Sequence, residues 1–310
     1  MGNRAQDTTT GVSAASGGGS EPPRRIGAYL LPGDPVWLAS SLSRYYDVLD
    51  DLVVVVPDSG TGWTGRPLPV EECLEIIARQ DRRGVLRTVR GEWQDAEQPM
   101  HAETAQRQAG IAALRGGVDW ILQIDNDEVL PHVDALLSAI ESAERQQLGA
   151  VEWPMRVLYR RTRRGRYLEV VDPRGPRYDY PGPIAVRPDV ELVDARRCRG
   201  PFLRPVVVGD HRSLQVRHAL ADGEVRDERL DADDAIVHNS WARSPASIRR
   251  KLSTWGHASP RTPLYYLTRW LPAPLTWPLM RDFHPFSRGL WPRLAPTPDA
   301  VGDLLLPEDR

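Results

Sequence analysis

The features that this 310-residue chain lacks exclude several kinds of protein. Its two cysteines, Cys73 and Cys198, are too few and too far apart to form a disulfide framework or a zinc site. The amino-terminal residues lack the apolar core of a signal peptide, and no run approaches the ~20 apolar residues that a membrane-spanning helix needs. The formal charge of -2 gives no reason to expect a nucleic-acid partner. We therefore expect a cytoplasmic protein, either soluble or peripheral to a membrane.

The basic residues are almost all arginine, and they are unevenly distributed along the chain. Lys251 is the only lysine among 40 basic residues. Between Arg156 and Arg217 there are 15 arginines and 7 acidic residues. Such an excess suits an anionic substrate or a lipid headgroup, although a solvated arginine-rich surface is the more common explanation.

Apolar runs of strand length alternate with helical patterns through the first half of the chain. Predicted strands at 26–31, 52–56, 85–89 and 120–124 are separated by predicted helices at 36–46, 70–83 and 101–115. This alternation, with short connections, indicates an α/β fold: a Rossmann-like, mainly parallel sheet with helices on both faces. In such sheets, ligands bind at the carboxyl ends of the strands.

The stretch from Trp120 to Pro131 carries the main functional signal. Its apolar run ends abruptly in Asp125, Asn126, Asp127 and Glu128. On an extended backbone, Asp125 and Asp127 would point the same way. Two carboxylates aimed at one point repel each other, and a divalent cation is the usual remedy. The alternative is a polar turn whose acids cap the next helix.

The sequence from Gly60 to Gly65 matches the dinucleotide-binding pattern G-x-G-x-x-G. That pattern works only where its last glycine opens a helix, and here Arg66 to Pro69 intervene. The preceding strand is also the second one in the chain. We therefore discount a dehydrogenase and interpret this segment as a flexible loop. The chain has no G-x-x-x-x-G-K-[ST] sequence, which excludes a P-loop.

A family resemblance rests on the sequence from His101 to Pro131, H-A-E-T-A-Q-R-Q-A-G-I-A-A-L-R-G-G-V-D-W-I-L-Q-I-D-N-D-E-V-L-P. It resembles the donor half of GT-A-fold glycosyltransferases, particularly the family 2-like group. Those enzymes carry a similar helix, a glycine-rich turn, an apolar strand and a D-x-D motif. The resemblance covers roughly residues 25–158 and is specific around residues 102–131.

The resemblance implies a division of the chain into parts. Residues 1–24 are rich in Gly, Ser, Thr and Ala and form a predicted disordered tail. Residues 25–245 would form the GT-A catalytic domain, with the nucleotide-sugar donor half at 25–158 and a less regular acceptor half at 159–245. Residues 246–310 would form a carboxyl-terminal extension that is rich in proline and aromatic residues.

The resemblance also implies roles for residues of the donor site. Asp127 would be the direct ligand of Mn²⁺ or Mg²⁺, and Asp125 would lie against the ribose and the metal. Asp58, after the second strand, matches a carboxylate that holds the nucleobase, with a simple turn residue as the alternative. Arg107 matches a basic residue that contacts the donor, with a surface arginine as the alternative. Glu128 would position water or the acceptor, or cap the following helix.

A second short apolar run, residues 235–237, delivers His238 at its end. By resemblance, His238 is a late additional metal ligand, and Arg243 and Lys251 behind it would hold the diphosphate. His211, His218 and His257 are the alternative histidines.

The catalytic base is open, because an inverting enzyme needs one and a retaining enzyme can proceed without it. Asp210, at the end of a predicted strand at 206–208, is the first candidate. Asp179 and Glu191 are the next two.

The segment from Tyr265 to Trp291 mixes aromatic residues with Arg269, Arg281 and Arg288. One interpretation is contact with the inner face of a membrane, near a lipid-linked acceptor. The other is an extension that wraps the catalytic domain, and the frequent prolines favour it.

The sequence thus predicts a metal-dependent glycosyltransferase of the hexosyltransferase type that uses a nucleoside-diphosphate sugar and a sugar, lipid-linked or small-molecule acceptor. One alternative is a sugar nucleotidyltransferase, although Pro32-Gly33-Asp34-Pro35 is not the glycine-rich basic loop expected there. Another is a non-catalytic nucleotide- or carbohydrate-binding protein with a degenerate site.

Overall fold

The computed structural model describes residues 23–254, 262–285 and 287–306. In chain order its strands are β1 (Ile26–Leu30), β2 (Asp51–Pro57), β3 (Leu86–Gly91), β4 (Trp120–Leu122), β5 (Glu128–Val129), β6 (Ala150–Glu152), β7 (Met155–Arg161), β8 (Tyr167–Asp172), β9 (Gly175–Pro176), β10 (Tyr178–Asp179), β11 (Pro183–Val186), β12 (Leu192–Asp194), β13 (Arg197–Cys198), β14 (Phe202–Val207), β15 (Glu224–Leu230), β16 (Ile236–His238) and β17 (Arg293–Pro296). The α-helices are α1 (Leu38–Ser43), α2 (Val70–Gln80), α3 (Pro99–Leu114), α4 (Val133–Arg145), α5 (Leu214–Arg217), α6 (Pro245–Thr254), α7 (Thr262–Tyr265), α8 (Ala273–Thr276) and α9 (Ala300–Asp303). Short 3-10 turns lie at Tyr46–Val48, Ala232–Asp234 and Trp277–Leu279, and a π-helical stretch lies at Tyr266–Trp270.

An eight-stranded sheet forms the centre of the fold, in the order β15-β14-β6-β11-β4-β1-β2-β3. Only β11 runs against the other strands, since it pairs antiparallel with both β4 and β6. All remaining neighbours in this sheet are parallel. The carboxyl ends of seven strands therefore share one edge.

Apolar side chains cover both faces of the central sheet. In β2, Leu52, Val54 and Val56 pack on one side with α1, α2 and α4, while Val53 and Val55 pack on the other with α3. This arrangement explains the uninterrupted valines of β2, because a strand buried on both faces has no polar face. The prediction of a Rossmann-like, mainly parallel α/β sheet with helices on both faces is confirmed at this level.

Helix α3 packs against β1 with no room for a side chain at Gly110. A Cβ atom added at Gly110 would lie 2.7 Å from Cγ of Tyr29. Tyr29 cannot move aside easily, because it is buried and its hydroxyl donates to Oε1 of Gln123 at 2.8 Å. The missing side chain at Gly110 thus sets the distance between α3 and the sheet edge.

A second sheet has the order β17-β8-β7-β16-β5, with β10 and β9 added at its side. The sequence predicted one strand over 150–159, but the chain leaves the central sheet at Trp153 and Pro154 and continues as β7 in the second sheet. Proline lacks the N–H that an uninterrupted ladder would use. Strand β16 joins the two halves of this sheet, parallel to β7 and antiparallel to β5.

The carboxyl-terminal residues contribute to the second sheet and its core. Strand β17 pairs with β8, and Trp270 and Phe283 are buried in the same cluster as Tyr159 and Trp241. The predicted domain limits at 158 and 245 stay predictions, and most of the predicted tail, residues 1–22, lies outside the described residues. Among the described residues, every helix falls short of the length and apolarity that crossing a membrane requires.

Substituting Gly110 with alanine should lower the free energy of unfolding by about 1–3 kcal/mol, because the new methyl group overpacks against Tyr29. Urea unfolding followed by circular dichroism measures the change. Gly302→Ala in α9 is the matched control, since a Cβ there meets nothing within 4 Å. Equal destabilisation by the two substitutions would contradict the close-approach explanation.

Candidate functional site

The Asp125-Asn126-Asp127 sequence lies in a turn at the carboxyl end of β4. The amide N–H of Glu128 donates to the carbonyl oxygen of Asp125 at 3.0 Å. The Asn126 side-chain amide donates to the carbonyl oxygens of Leu31 at 2.9 Å and Asp34 at 3.0 Å. The alternation expected of an extended backbone is wrong here, because the strand ends at Leu122 and the two aspartates face different partners.

Asp125 lies between two buried arginines. Nη1 and Nη2 of Arg107 approach its two carboxylate oxygens at 3.0 and 3.1 Å, and Nη2 of Arg196 lies 3.0 Å from Oδ2. Arg196 also forms an ion pair with Glu128, and Arg107 pairs with Glu103 at 2.9 Å. We call Glu103, Arg107, Asp125, Glu128 and Arg196 the ion cluster.

The ion cluster holds Asp125 and Arg107 in their charged forms. Burial alone would raise the pKa of Asp125, but the Arg107 and Arg196 guanidinium groups outweigh it and hold that pKa below its usual value. For Arg107 the signs are reversed: burial alone would lower its pKa, but the Asp125 and Glu103 carboxylates raise that pKa well above its usual value. Glu128 is fully buried and accepts from the amide of Asp125 at 3.1 Å. Glu128 therefore does not cap α4, which begins at Val133 without a side-chain cap.

Asp127 faces the second sheet. Strand β16 pairs His238 with Glu128 of β5, which brings Nε2 of His238 to 3.5 Å from Oδ2 of Asp127. The Arg243 guanidinium forms an ion pair with the same carboxylate and a second ion pair with Asp34. The amide of Asn239 donates to the carbonyl oxygen of Asp127 at 2.8 Å. Asp127 is thus held by the chain segment that follows β16.

A cavity of about 220 Å³ lies against these groups. Its wall combines the loops after β1 and β2 with α3, the aspartate turn and the start of α6. The charged lining residues are Asp34, Arg107, Asp125, Asp127 and Arg243, and the apolar ones include Leu31, Trp63 and Leu68. Typical small-molecule sites occupy roughly 300–1,000 Å³, so a complete nucleotide sugar would extend beyond this cavity.

The loop from Gly60 to Gly65 forms part of this wall and is held in place by hydrogen bonds. Gly62 donates to the carbonyl oxygen of Arg66 at 2.8 Å, and Trp63 Nε1 donates to Oε1 of Gln106 at 2.7 Å. Gln106 in turn donates to the carbonyl oxygen of Val55 at 2.9 Å. These bonds tie the loop to α3 and to the end of β2.

Asp127 and His238 form an adjacent oxygen and nitrogen donor pair. Two neighbouring ligands of an octahedral ion with bonds of about 2.1 Å lie about 3 Å apart, so the 3.5 Å separation fits two ligands of one cation. Asp125 is engaged by Arg107 and Arg196, and Oδ2 of Asp127 is itself paired with the Arg243 guanidinium. Within the described ranges, no group of three or more His, Cys, Asp or Glu side chains is arranged to hold a metal. A metal there would take its remaining ligands from phosphate oxygens or water, which is usual for Mg²⁺.

Asp58 lies at the expected end of β2 but outside the cavity. Its carboxylate is half exposed, and Nη1 of Arg90 lies 3.7 Å away. In the order β4-β1-β2, Asp58 is two strands from the aspartate turn. The nucleobase role of Asp58 stays a prediction.

The three candidate bases also lie outside the cavity lining. Asp210 is buried, and its Oδ1 accepts from the amides of Arg212 and Ser213, each at 3.1 Å. Asp210 follows β14, three strands from β4, or about 14 Å at roughly 4.8 Å per strand. Asp179 accepts from Gln215 at 3.1 Å, and Glu191 is exposed at the surface. A catalytic role for any of the three stays a prediction.

The alternative histidines and Lys251 are the remaining residues for which the sequence suggested a role. His211 and His218 are exposed, and neither lines the cavity. His257 and the side chain of Lys251 lie outside the described residues.

The structure adds residues that the sequence reasoning did not select. Asp34 lines the cavity and binds Arg243, and its position in the loop after β1, on the ligand-binding edge, was a usable signal. Arg196 lies between β12 and β13, 68 residues from its partner Glu128. No local pattern distinguishes it from the other arginines of that region.

Comparisons with known proteins add little to this geometry. No protein-family model matches the chain, and no curated protein matches it. Among solved structures, it is similar to 4-diphosphocytidyl-2C-methyl-D-erythritol synthase from Anaerococcus prevotii, with 12% identity and a TM-score of 0.31 over 53% of this chain and 70% of that one. It is also similar to mannose-6-phosphate isomerase from Helicobacter pylori, with 16% identity and a TM-score of 0.32 over 53% of this chain and 71% of that one. Likenesses this low carry no argument about activity.

The stabilising effect of Asp125 should depend on pH. A carboxyl group whose pKa is lowered by folding stabilises the protein above its unfolded pKa of about 3.9 and loses that effect as the pH falls through the folded value. Asp125→Asn should therefore unfold at lower urea concentration than the wild type near neutral pH. The difference should shrink below about pH 4. A difference that stays constant across this range would contradict the ionised cluster.

Removing Arg196 should leave Glu128 as a buried charge without its main partner. Arg196→Met should destabilise the protein by about 3–5 kcal/mol, and Arg196→Met/Glu128→Gln should recover part of that loss because it removes the charge as well. Arg229→Met, which breaks an exposed pair with Asp227, is the control and should have little effect. If the double variant is no more stable than Arg196→Met, charge burial is not the cause.

Proposed function

We propose that this protein is a metal-dependent glycosyltransferase that transfers a sugar from a nucleoside-diphosphate donor. The observation that carries the proposal is that Asp127 and Arg243 line a cavity at the carboxyl edge of the sheet, and that His238, which lies behind this lining, is 3.5 Å from the Asp127 carboxylate. Acid, imidazole and guanidinium groups suit a divalent cation and a diphosphate together. The D-x-D motif and its late histidine had suggested the same chemistry by family resemblance.

In the proposed reaction, Asp127 and His238 would hold Mn²⁺ or Mg²⁺, and the ion would supply positive charge that stabilises the leaving diphosphate. Arg243 lies against the same carboxylate and is positioned to turn toward phosphate oxygens. Its planar guanidinium can make two parallel hydrogen bonds to a phosphate group. If the ion pairs of Arg243 with Asp34 and Asp127 weakened, hydrogen bonds from its guanidinium to the diphosphate would replace them.

Asp125 supports a different part of the donor. Because Arg107 and Arg196 fix both of its oxygens, the carboxylate has a defined orientation at the cavity wall. A fixed acceptor of this kind suits the hydroxyl groups of a ribose. Trp63 and Leu68 add an apolar part to the wall that suits the flat face of a base.

The decisive experiment measures the release of nucleoside diphosphate from a panel of nucleotide sugars, with and without Mn²⁺. We expect metal-dependent release from at least one donor and turnover at least ~10²-fold lower for Asp127→Ala, because the metal stabilises several kcal/mol of transition-state charge. Asp119→Ala is the matched control and should retain activity. Asp119 immediately precedes β4, at the end of the strand opposite the aspartate turn, where its carboxylate accepts from the amide of Arg25 at 2.8 Å.

Other outcomes identify the alternatives. Near-normal sugar transfer by Asp127→Ala would contradict the assignment of Asp127 as a metal ligand. Formation of pyrophosphate from a nucleoside triphosphate and a sugar phosphate would identify a nucleotidyltransferase instead. Measurable donor binding without any hydrolysis would identify a binding protein. Manganese titration of the wild type and of His238→Ala in the presence of nucleoside diphosphate tests the ligand pair without requiring turnover.

A further inference from the structure

Five leucines of the carboxyl-terminal region are exposed in one short segment. They are Leu264, Leu267, Leu271, Leu275 and Leu279, each between 43% and 83% exposed, and we call them the leucine stripe. Among the described residues, they are five of the eight large hydrophobic side chains that are exposed. Scattered exposed leucines are ordinary, but a cluster of this kind is characteristic of a binding surface.

The segment that carries the leucine stripe is helical from residue 262 to residue 279. It passes from α7 through the π-helical stretch Tyr266–Trp270 to α8 and a final 3-10 turn. Leu271 and Pro272 between them keep right-handed helical backbone angles. The leucines recur at intervals of three and four residues and therefore lie on one side of the segment.

The opposite side of the segment is fixed to the protein. Trp270 is fully buried, its Nε1 donates to the carbonyl oxygen of Trp241 at 2.9 Å, and the Arg160 guanidinium lies 3.8 Å from its ring centre. Tyr266 stacks on Trp270 with ring centroids 5.2 Å apart. With one apolar side already buried, the leucine stripe is a second apolar side that the protein presents outward.

The charges within the segment that carries the leucine stripe are of one sign. Residues 262–281 contain no Asp or Glu. Arg269 lies within the segment and Arg281 directly follows it, and both are exposed, as is Arg288 nearby. Asp282 is the one acid in the following residues up to Arg288, and its carboxylate accepts from the amide of Gly289.

We propose that the leucine stripe inserts into the surface of an anionic lipid bilayer, with Arg269 and Arg281 against the lipid headgroups. Leucines would enter the boundary between headgroups and acyl chains while the segment lies parallel to the membrane. Arg269, in a segment that contains no acid, and Arg281 at its end match the negative surface of such a bilayer. A two-fold dimer across the same surface is less suited, because the segment offers no acid that could pair with the arginines of its own copy.

The test is co-sedimentation of the full chain with vesicles of phosphatidylcholine alone and of phosphatidylcholine with phosphatidylglycerol. The wild type should bind the anionic vesicles. Leu267→Ser/Leu271→Ser/Leu275→Ser should bind them at least ~10-fold less, because apolar burial drives insertion. Arg269→Gln should bind anionic vesicles about fivefold less and neutral vesicles unchanged.

A matched triple variant, Val193→Ser/Val208→Ser/Leu220→Ser, removes three exposed apolar side chains elsewhere and should bind as the wild type does. Thermal unfolding should show that all variants remain folded, since every substituted side chain is exposed. Failure of the wild type to bind anionic vesicles would overturn the proposal. So would equal loss of binding in the two triple variants, or a dimer in solution that only the leucine substitutions dissociate.

Discussion

The site depends on the pairing of one carboxylate, Asp125, with two buried arginines. Arg107 comes from α3, Asp125 from the turn after β4, and Arg196 from the connection between β12 and β13. Three separate segments therefore meet at a single charged group, and Asp125 would be left as an uncompensated charge if the two arginines moved. Because an unpaired buried charge costs far more than a paired one, the position of all three segments is strongly specified.

The same constraint reaches the second sheet through Glu128. Arg196 binds this residue at the start of β5, and β5 pairs with β16 so that Glu128 lies opposite His238. The donor pair of Asp127 and His238 is thus positioned by backbone pairing, while Asp125 is positioned by side-chain charge. Two kinds of interaction place two carboxylates that are only two residues apart.

The sequence was informative where the signal is local. The valine run of β2 predicts a strand covered on both faces, and the helical pattern of α3 with its final glycines predicts a helix that ends near Leu114. The predicted strand ends indicate which edge of the sheet binds a ligand, but not which part of that edge. In an eight-stranded sheet the edge is long, so the same rule selected Asp127 and also Asp58 and Asp210, which lie at other strands. Arg196 could not be selected, because its role depends on partners distant in the chain. The exposed leucines also have no local signature that distinguishes them from core residues.

Trp153 and Pro154 are the point at which the chain passes from the central sheet into the second one. Asp127 lies between β4 of the central sheet and β5 of the second, and β5 pairs with β16, which carries His238. A small rotation between the sheets would therefore move Asp127 and His238 together and change their distance from Arg107, which α3 holds against the central sheet. The position of the donor pair relative to Arg107 thus follows the angle between the two sheets.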